Sequence, residues 1–380
     1  METNKDFYRR LQEHIDRMPV GFPATKSGVE IRLLQRLFTE EEAEAALLLS
    51  ALPEPLERIF SRAPKGRWTK SAFEALLDGL AGKGAILGGR VLAARDGTMR
   101  YSKAMLAIGM YEMQVDHLTK ELQEDLEQYI REGFGAAFLG PKTKQMRTIP
   151  VNVRIVPERR VGRYDDARRL LAESTGPWAV INCICRQGKD LVGEPCRQTK
   201  VRRTCLLMKG MARYALETGI GEPLTGDQVG GLLDRAEQEG MILQPENVED
   251  PLFVCFCCGC CCGVLQMARQ FPRPAEYVHS NHFAEVDATL CTDCETCRTR
   301  CPMDALHTAD GRTVVDLGRC IGCGACVVTC PSDALRLETK ERGVVPPKTH
   351  EALYRKILFE RFGLLGTAGM MAKSALGQKI

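Results

Sequence analysis

No uncharged apolar run in this chain approaches the ~20 residues needed to cross a bilayer; the nearest candidate, 252–265, is interrupted by six cysteines. Neither sign of charge dominates. With 52 basic and 49 acidic residues the net charge is +3, too small for a global field that would compel nucleic-acid or membrane binding. The opening Met-Glu-Thr-Asn-Lys-Asp has no apolar stretch of the kind a secretory signal needs. The twin Arg9-Arg10 is followed by Leu-Gln-Glu-His, which fits no export signal. Nucleotide signatures are missing as well: there is no G-x-x-x-x-G-K-[ST] loop. Gly82-Lys-Gly84 and Gly219-Ile-Gly221 lack the third glycine and the strand context of a dinucleotide site, and Gly363, Gly366 and Gly369 follow a predicted helix. No bound flavin or NAD is therefore expected. Finally, the first 182 residues and the last 50 contain no cysteine.

The chain nevertheless has 18 cysteines, all between Cys183 and Cys330. Disulfide-dense secreted domains are short, whereas 380 residues suffice for two or three domains. Metal or redox chemistry in a reducing, cytoplasmic compartment is the reading that follows.

The pattern points to an α+β protein in five parts: a helical, winged-helix-like domain over 1–110, a helix and linker over 111–150, a Cys-rich domain over 151–280, a ferredoxin-like domain over 281–340, and a C-terminal helix and tail over 341–380. Local charge follows these parts. Residues 141–240 carry 18 basic against 12 acidic side chains, 281–340 carry 6 against 9, and 341–380 carry 7 against 3. Val29–Phe38 is amphipathic. Thr39 and Glu42 form a capping box for a helix over about Glu40–Leu52, and Ser71 with Glu74 suggests another. Phe73, Leu76, Leu77 and Leu80 mark the apolar face of that second helix. Ile86-Leu87, Gly88-Gly89 and Val91-Leu92 then suggest a small hairpin. An acidic helix over Tyr111–Arg131 leads to a linker at Gly133–Pro141. Thr69–Leu87 aligns with Thr225–Leu243 without a gap, Thr225 and Gln228 again making a capping box, so a second winged-helix-like unit is possible in the middle domain. Trp178–Ile184 reads as a buried strand, Leu206–Glu217 as a helix, and His350–Phe362 as an amphipathic helix bearing Leu353, Ile357, Leu358 and Phe362.

From Cys291 the sequence becomes specific. Cys291, Cys294, Cys297 and Cys301, the last followed by Pro302, make C-x2-C-x2-C-x3-C-P. Cys320, Cys323, Cys326 and Cys330, followed by Pro331, repeat it 29 residues later. In such a run three closely spaced thiolates hold one cubane and the fourth reaches the other cluster. Cys291, Cys294, Cys297 and Cys330 are thus assigned to one [4Fe–4S] cluster, and Cys320, Cys323, Cys326 and Cys301 to a second. Gly322 and Gly324 let the second loop lie close to its cluster, and Asp293 and Glu295 put acidic charge beside the first, which should lower its potential. A zinc knuckle would use four ligands, not eight in two interlocked runs. This segment, about 281–338, resembles the two-cluster bacterial ferredoxins.

Ten cysteines remain. Cys183 and Cys185 end the predicted strand at i and i+2, where their thiols would share a side, and Arg186 follows them. Cys196 lies in a loop, and Cys205 stands where a helix is predicted to begin, a position that favours a thiolate. Cys255, Cys257, Cys258, Cys260, Cys261 and Cys262 crowd into eight positions. So many free thiols together are an oxidation hazard unless metal occupies them. Ten thiolates can serve two more cubanes with two spare, or one larger cluster; the alternation of Cys255, Cys257, Cys260 and Cys262 against Cys258 and Cys261 suggests sharing between two centres. One or two further iron–sulfur clusters are therefore expected in 183–262, with Arg186 among the cations offsetting their charge. The Cys-Cys-Gly tripeptides at Cys257 and Cys261 are similar to those of the CCG modules of heterodisulfide reductases, whose long-spaced second half this chain lacks. The arrangement as a whole resembles the 4Fe–4S dicluster proteins of anaerobic bacteria, a resemblance that implies no particular substrate. His279 and His282 read as part of a polar connector.

These features lead to a multi-cluster electron-transfer protein, an electron-relay subunit of an anaerobic oxidoreductase complex, with other subunits or a redox protein as partners. Two alternatives differ in class. One is a redox-sensing winged-helix regulator, disfavoured because residues 1–100 carry only 16 basic against 14 acidic side chains where DNA binding needs a clustered basic face. The other is a thiol or disulfide reductase using the Cys255–Cys262 site.

Overall fold

Short polar caps set the helix ends in this chain before packing orients them. In the computed structural model, which describes residues 4–89, 98–150, 165–376 and 378–380, Thr39 accepts from the Glu42 amide and the Glu42 carboxylate returns to the Thr39 amide, opening a helix over Glu40–Ala46. Thr225 and Gln228 do the same for Gly226–Glu239. The Lys70–Gly82 helix is capped two residues before the expected Ser71 box, because Thr69 takes the cap and accepts from the Ala72 amide at 3.2 Å. The expected 111–131 helix starts late, at Lys120, where Thr119 caps it, and past Tyr129 it runs on as a wider helical turn over Ile130–Phe134.

Contacts within the chain group residues 1–142 and 355–380 as one compact unit and 143–354 as another. In the first unit a three-stranded antiparallel sheet places Arg100–Lys103 between Glu54–Pro55 and Ile86–Gly89. The Lys70–Gly82 helix buries Phe73, Leu77 and Leu80. Val91 and Leu92, expected as the second arm of a hairpin, lie outside the described residues; the strand paired with Ile86–Gly89 is Arg100–Lys103. The expected linker at 133–141 is largely helical, including Gly135–Leu139, because Phe134, Phe138 and Leu139 are buried and outweigh the low helix propensity of its glycines.

The second unit is built on a five-stranded antiparallel sheet in the order Glu222–Leu224, Trp178–Asn182, Arg203–Met208, Phe253–Cys257, Ile242–Pro245. The second copy of the helix-plus-strand repeat thus supplies an edge strand of a larger sheet rather than a free-standing three-stranded unit. Alternation along the strands makes the sheet two-faced. Leu206, Met208, Val254, Phe256 and Leu243 pack on one side with Val229, Leu233 and Ala236 of the Gly226–Glu239 helix and with Leu170 and Leu171. Cys205, Cys255 and Cys257 project from the other. Burying that apolar face fixes the register, since a one-residue slip would exchange it for the thiols.

The ferredoxin-like part pairs His282–Val286 with Leu335–Thr339 and folds Leu306–Ala309 on Arg312–Val315. Among the described residues no helix is long and apolar enough to cross a membrane. The C-terminal helix, His350–Ala375, changes direction at Gly363, whose φ is 68°; Leu353 and Ile357 are buried.

His350 donates from Nδ1 to Glu246 at 2.6 Å, and Glu246 also accepts from the Leu252 amide at 3.1 Å. Burial opposes charge on the ring, but the Glu246 carboxylate outweighs it and raises the His350 pKa above its ordinary 6.5. A raised histidine pKa contributes stability that is present in full below the unfolded value and is lost as pH rises through the folded one. Denaturation midpoints measured anaerobically from about pH 6 to about pH 9 should therefore fall more steeply for the native protein than for His350→Gln; identical slopes would exclude this linkage.

Candidate metal centres

The 29-residue repeat persists as a backbone repeat even where residue types differ. Gly322 and Gly324 have φ of 61° and 76°, and their counterparts Asp293 and Glu295 have 51° and 61°; Asp304 and Asp333 share 53°. Each loop thus turns through left-handed residues before a short helix, Thr296–Arg300 or Ala325–Val328. At Asp293 the strain is offset locally, its carboxylate accepting from the Thr313 amide at 3.0 Å and the Thr313 hydroxyl at 2.7 Å. Glycine is required at 322 for a second reason: a Cβ there would lie 2.2 Å from the His282 carbonyl oxygen.

The loops enclose two cavities. One is lined by Cys291, Cys294, Cys297 and Cys330. The other is lined by Cys301, Cys320, Cys323 and Cys326, with Gly322 and Gly324 in its wall. Each cavity therefore gathers three cysteines of one run and the fourth of the other. Backbone amides point at the sulfurs, Ala284 to Cys320 at 3.3 Å and Ala305 to Cys301 at 3.2 Å, as anionic thiolates need. The first quartet is the more open: Cys294 is exposed, whereas Cys320, Cys323 and Cys326 are buried. Burial pushes the Cys323 thiol up to about 12 and Cys326 up as well, so a metal's positive charge is what would keep these sulfurs ionised. The residues fit the group that the motif implies.

The other ten cysteines fall into a set of four and a set of six. Cys196, Cys258, Cys260 and Cys261 have all their sulfurs within 4.8 Å of one another. Cys260 joins Cys258 and Cys261 rather than the expected Cys255, Cys257 and Cys262, because the strand stops at Cys257 and residues 258–262 close a turn, the Cys262 amide donating to the Cys258 carbonyl at 3.1 Å. In the other set Cys205 and Cys255 face each other on neighbouring strands with sulfurs 3.9 Å apart. Thiol contacts continue from Cys255 to Cys257, Cys257 to Cys262, Cys262 to Cys185 and Cys185 to Cys183. Cys205 lies inside the Arg203–Met208 strand, not at a helix start, and the following helix begins at Lys209. Cys183 and Cys185 do not continue their strand either: Trp178–Asn182 ends before them, Cys183 occupies the N-cap of Ile184–Leu191, and Cys185 sits in its first turn.

Arg186, the next residue on that helix, is fully buried. It donates to the Thr204 hydroxyl and, at 2.9 Å, to the Phe256 carbonyl. Burial would lower its pKa, but the thiols of Cys183, Cys258 and Cys257 raise it. Its neighbours come from both thiol sets, which makes it a shared counter-charge. Cys258 is pulled down to about 5 by the Cys261 thiol and, against burial, by Arg186.

Two contributors were not singled out in the sequence. Gln244, opposite Cys255 in register, donates to the Cys262 sulfur at 3.4 Å. Gly259, within the Cys turn, abuts Pro302, where an added Cβ would lie 3.0 Å from the proline Cβ, so the turn rests directly against the wall of the second ferredoxin cavity. A glycine amid six cysteines was the available signal for the latter. His279 bonds Asn247 at 3.1 Å, and His282 begins a strand.

Paired cysteine-lined cavities on a repeated loop-helix frame define an iron–sulfur, ferredoxin-like module near the C-terminus of a mixed helix-and-sheet chain, and the clustered cysteines make this an iron–sulfur electron-transfer protein. Residues 284–331 match a family described as the 4Fe-4S dicluster domain. No match was found among curated proteins or among solved structures.

Because the Gly322 amide segment lies against a main-chain carbonyl that cannot swing aside, Gly322→Ala should displace the second loop. Iron analysis should show about four fewer irons per chain, with the first quartet's EPR signal retained; unchanged iron content would refute the steric role of this glycine.

Proposed function

We propose that this protein is an electron-relay subunit of an anaerobic oxidoreductase complex, carrying two [4Fe–4S] clusters in 281–340 and at least one further iron–sulfur centre in 183–262, and acting in the cytoplasm with other subunits or a redox protein as partners. The observation that carries the reading is the crossed pair of cavities, each bounded by four cysteines drawn from both runs. A bound [4Fe–4S] cluster supplies a one-electron couple there. The chain's own residues would do the rest. Cys291, Cys294, Cys297 and Cys330 hold one cluster, and Cys301, Cys320, Cys323 and Cys326 the other. The Ala284 and Ala305 amides bond thiolates of the second set and stabilise its charge. The exposed Cys294 marks where a redox partner gains access, while burial of Cys320, Cys323 and Cys326 keeps water from the second site. Gly259, seated against Pro302, sets the middle-domain thiols next to that second site.

The first unit suits protein docking better than DNA reading. Its strand order, first strand beside the last, supports a winged-helix-like description. Yet Lys70, Arg67 and Lys83, around its Lys70–Gly82 helix, are each engaged with an acid, Glu57, Glu44 and Glu42 in turn. Ion-paired cations offer little to release counterions from phosphates.

Iron and sulfide analysis with EPR on anaerobically purified protein tests the proposal. More than about eight irons per chain and two interacting ferredoxin-type signals are expected. Cys330→Ser should remove the same signal as Cys291→Ser, and Cys301→Ser the same as Cys320→Ser. If Cys301→Ser instead removes the Cys291 signal, the crossed assignment fails; if no reducible iron–sulfur signal is found, the relay function fails.

A further inference from the structure

We propose that Cys196, Cys258, Cys260 and Cys261 hold a single metal ion in a closed tetrahedral four-thiolate site, distinct from any iron–sulfur cluster. The spacing is the first ground. Cys196 lies 3.6 Å from Cys258 and 3.7 Å from Cys260, and Cys260 lies 3.7 Å from Cys261, sulfur to sulfur. An ion bound to four sulfurs at about 2.3 Å places them at the corners of a tetrahedron with edges of about 3.8 Å. These contacts are far longer than the ~2.05 Å of a disulfide. No other group of three or more such ligand atoms among the described residues is gathered so tightly. The ferredoxin quartets provide the contrast inside the same molecule: each lines a cavity, and neither draws three or more of its sulfurs to within 4.8 Å of one another.

The chain path is the second ground. Residues 258–262 wind through one turn that leads into the Gly263–Arg269 helix, with three of the four sulfurs supplied from it. Cys196 closes the fourth corner from the loop after Ile184–Leu191. All four thiols are buried or half-buried, as in structural rather than catalytic metal sites, where a coordination position stays open. Four thiolates around a divalent ion leave a net charge of −2. Arg186, fully buried beside Cys258, offsets part of it, and its Nε finds no hydrogen-bond partner among the described residues. Such an ion would clamp the Cys196 loop to the Cys turn that abuts Pro302, and would leave the six-thiol array as the place for the further iron–sulfur centre. The inference rests on the iron–sulfur reading only for that last division of the cysteines. Tetrahedral four-sulfur coordination suits zinc and iron alike, and the experiment separates them.

Full-length protein purified without oxygen is compared with Cys196→Ser and Cys260→Ser. Each variant should lose one metal ion per chain and no inorganic sulfide, while the ferredoxin EPR signals remain. X-ray absorption at the edge of the lost metal should give four sulfurs at about 2.3 Å and no second metal. Zinc would make the site a redox-silent clamp, and iron a one-electron site; either supports a mononuclear centre. Loss of about four irons together with their sulfide, metal–metal scattering from the lost metal, or unchanged metal content in both variants overturns it. Should the serine variants fail to fold, the unmodified protein decides: it must contain either one tightly bound zinc or, in a Mössbauer spectrum, one isolated high-spin iron with four sulfurs, and absence of both overturns the proposal. Ferredoxin signals that persist while this site fails separate the two readings, as does a zinc site found in a protein without reducible clusters.

Discussion

Buried thiols bind metal only as anions, and an anion away from water is costly unless a cation sits beside it. That conflict organises the second unit. Burial pushes Cys323 and Cys326 towards the neutral form, and crowding of thiol on thiol does the same to Cys183, Cys255 and Cys257. Part of the compensation comes from the protein: main-chain amides aimed at sulfurs such as Cys301 and Cys320, Gln244 at Cys262, and the fully buried Arg186 between the two sets of middle-domain thiols. Metal must supply the rest, so cofactor loading and folding of this unit are coupled.

The five-stranded sheet lets so many thiols be displayed without dissolving the core. Its two faces are chemically separate, one carrying Leu206, Val254, Phe256 and Leu243 under a helix, the other Cys205, Cys255, Cys257 and Gln244. The apolar face provides the burial that holds the register, and the register determines which cysteines meet. Where the strand ends, at Cys257, the period of two is replaced by a turn, and that change divides six adjacent cysteines between two sites.

The ferredoxin-like part shows how far a sequence can be read. Four cysteines at fixed spacing, repeated after 29 residues, predicted crossed quartets, and each cavity is lined by three cysteines of one run and the fourth of the other. Spacing sufficed there because each loop is short and its conformation is set by left-handed residues near the ligands. Less was legible in Asp293 and Glu295, which read as charges tuning a potential but also occupy the left-handed positions held in the other loop by Gly322 and Gly324. Helix starts were legible at Thr39 and Thr225, where both halves of the capping box are present. At Ser71 the reading was displaced by two residues, because Thr69 had the better-placed hydroxyl. The expected linker at 133–141 was misread from its glycines, since Phe138 and Phe134 extend a line of ring contacts through Tyr129 to Phe22, which is remote in sequence.

The sequence by itself determined where the sulfur lies: cysteines in two interlocked runs and a third cysteine-rich segment. These are matters of residue type and short spacing, which local geometry translates directly. Only the tertiary structure decided how the ten remaining cysteines divide. Cys196 and Cys205 lie far along the chain from Cys255–Cys262, and only antiparallel pairing of Arg203–Met208 with Phe253–Cys257, together with the loop beyond Ile184–Leu191, brings them to their partners. Arg186 likewise reads as one basic residue among many until folding buries it between the two sets of thiols, where removing it from water makes its charge strong enough to matter.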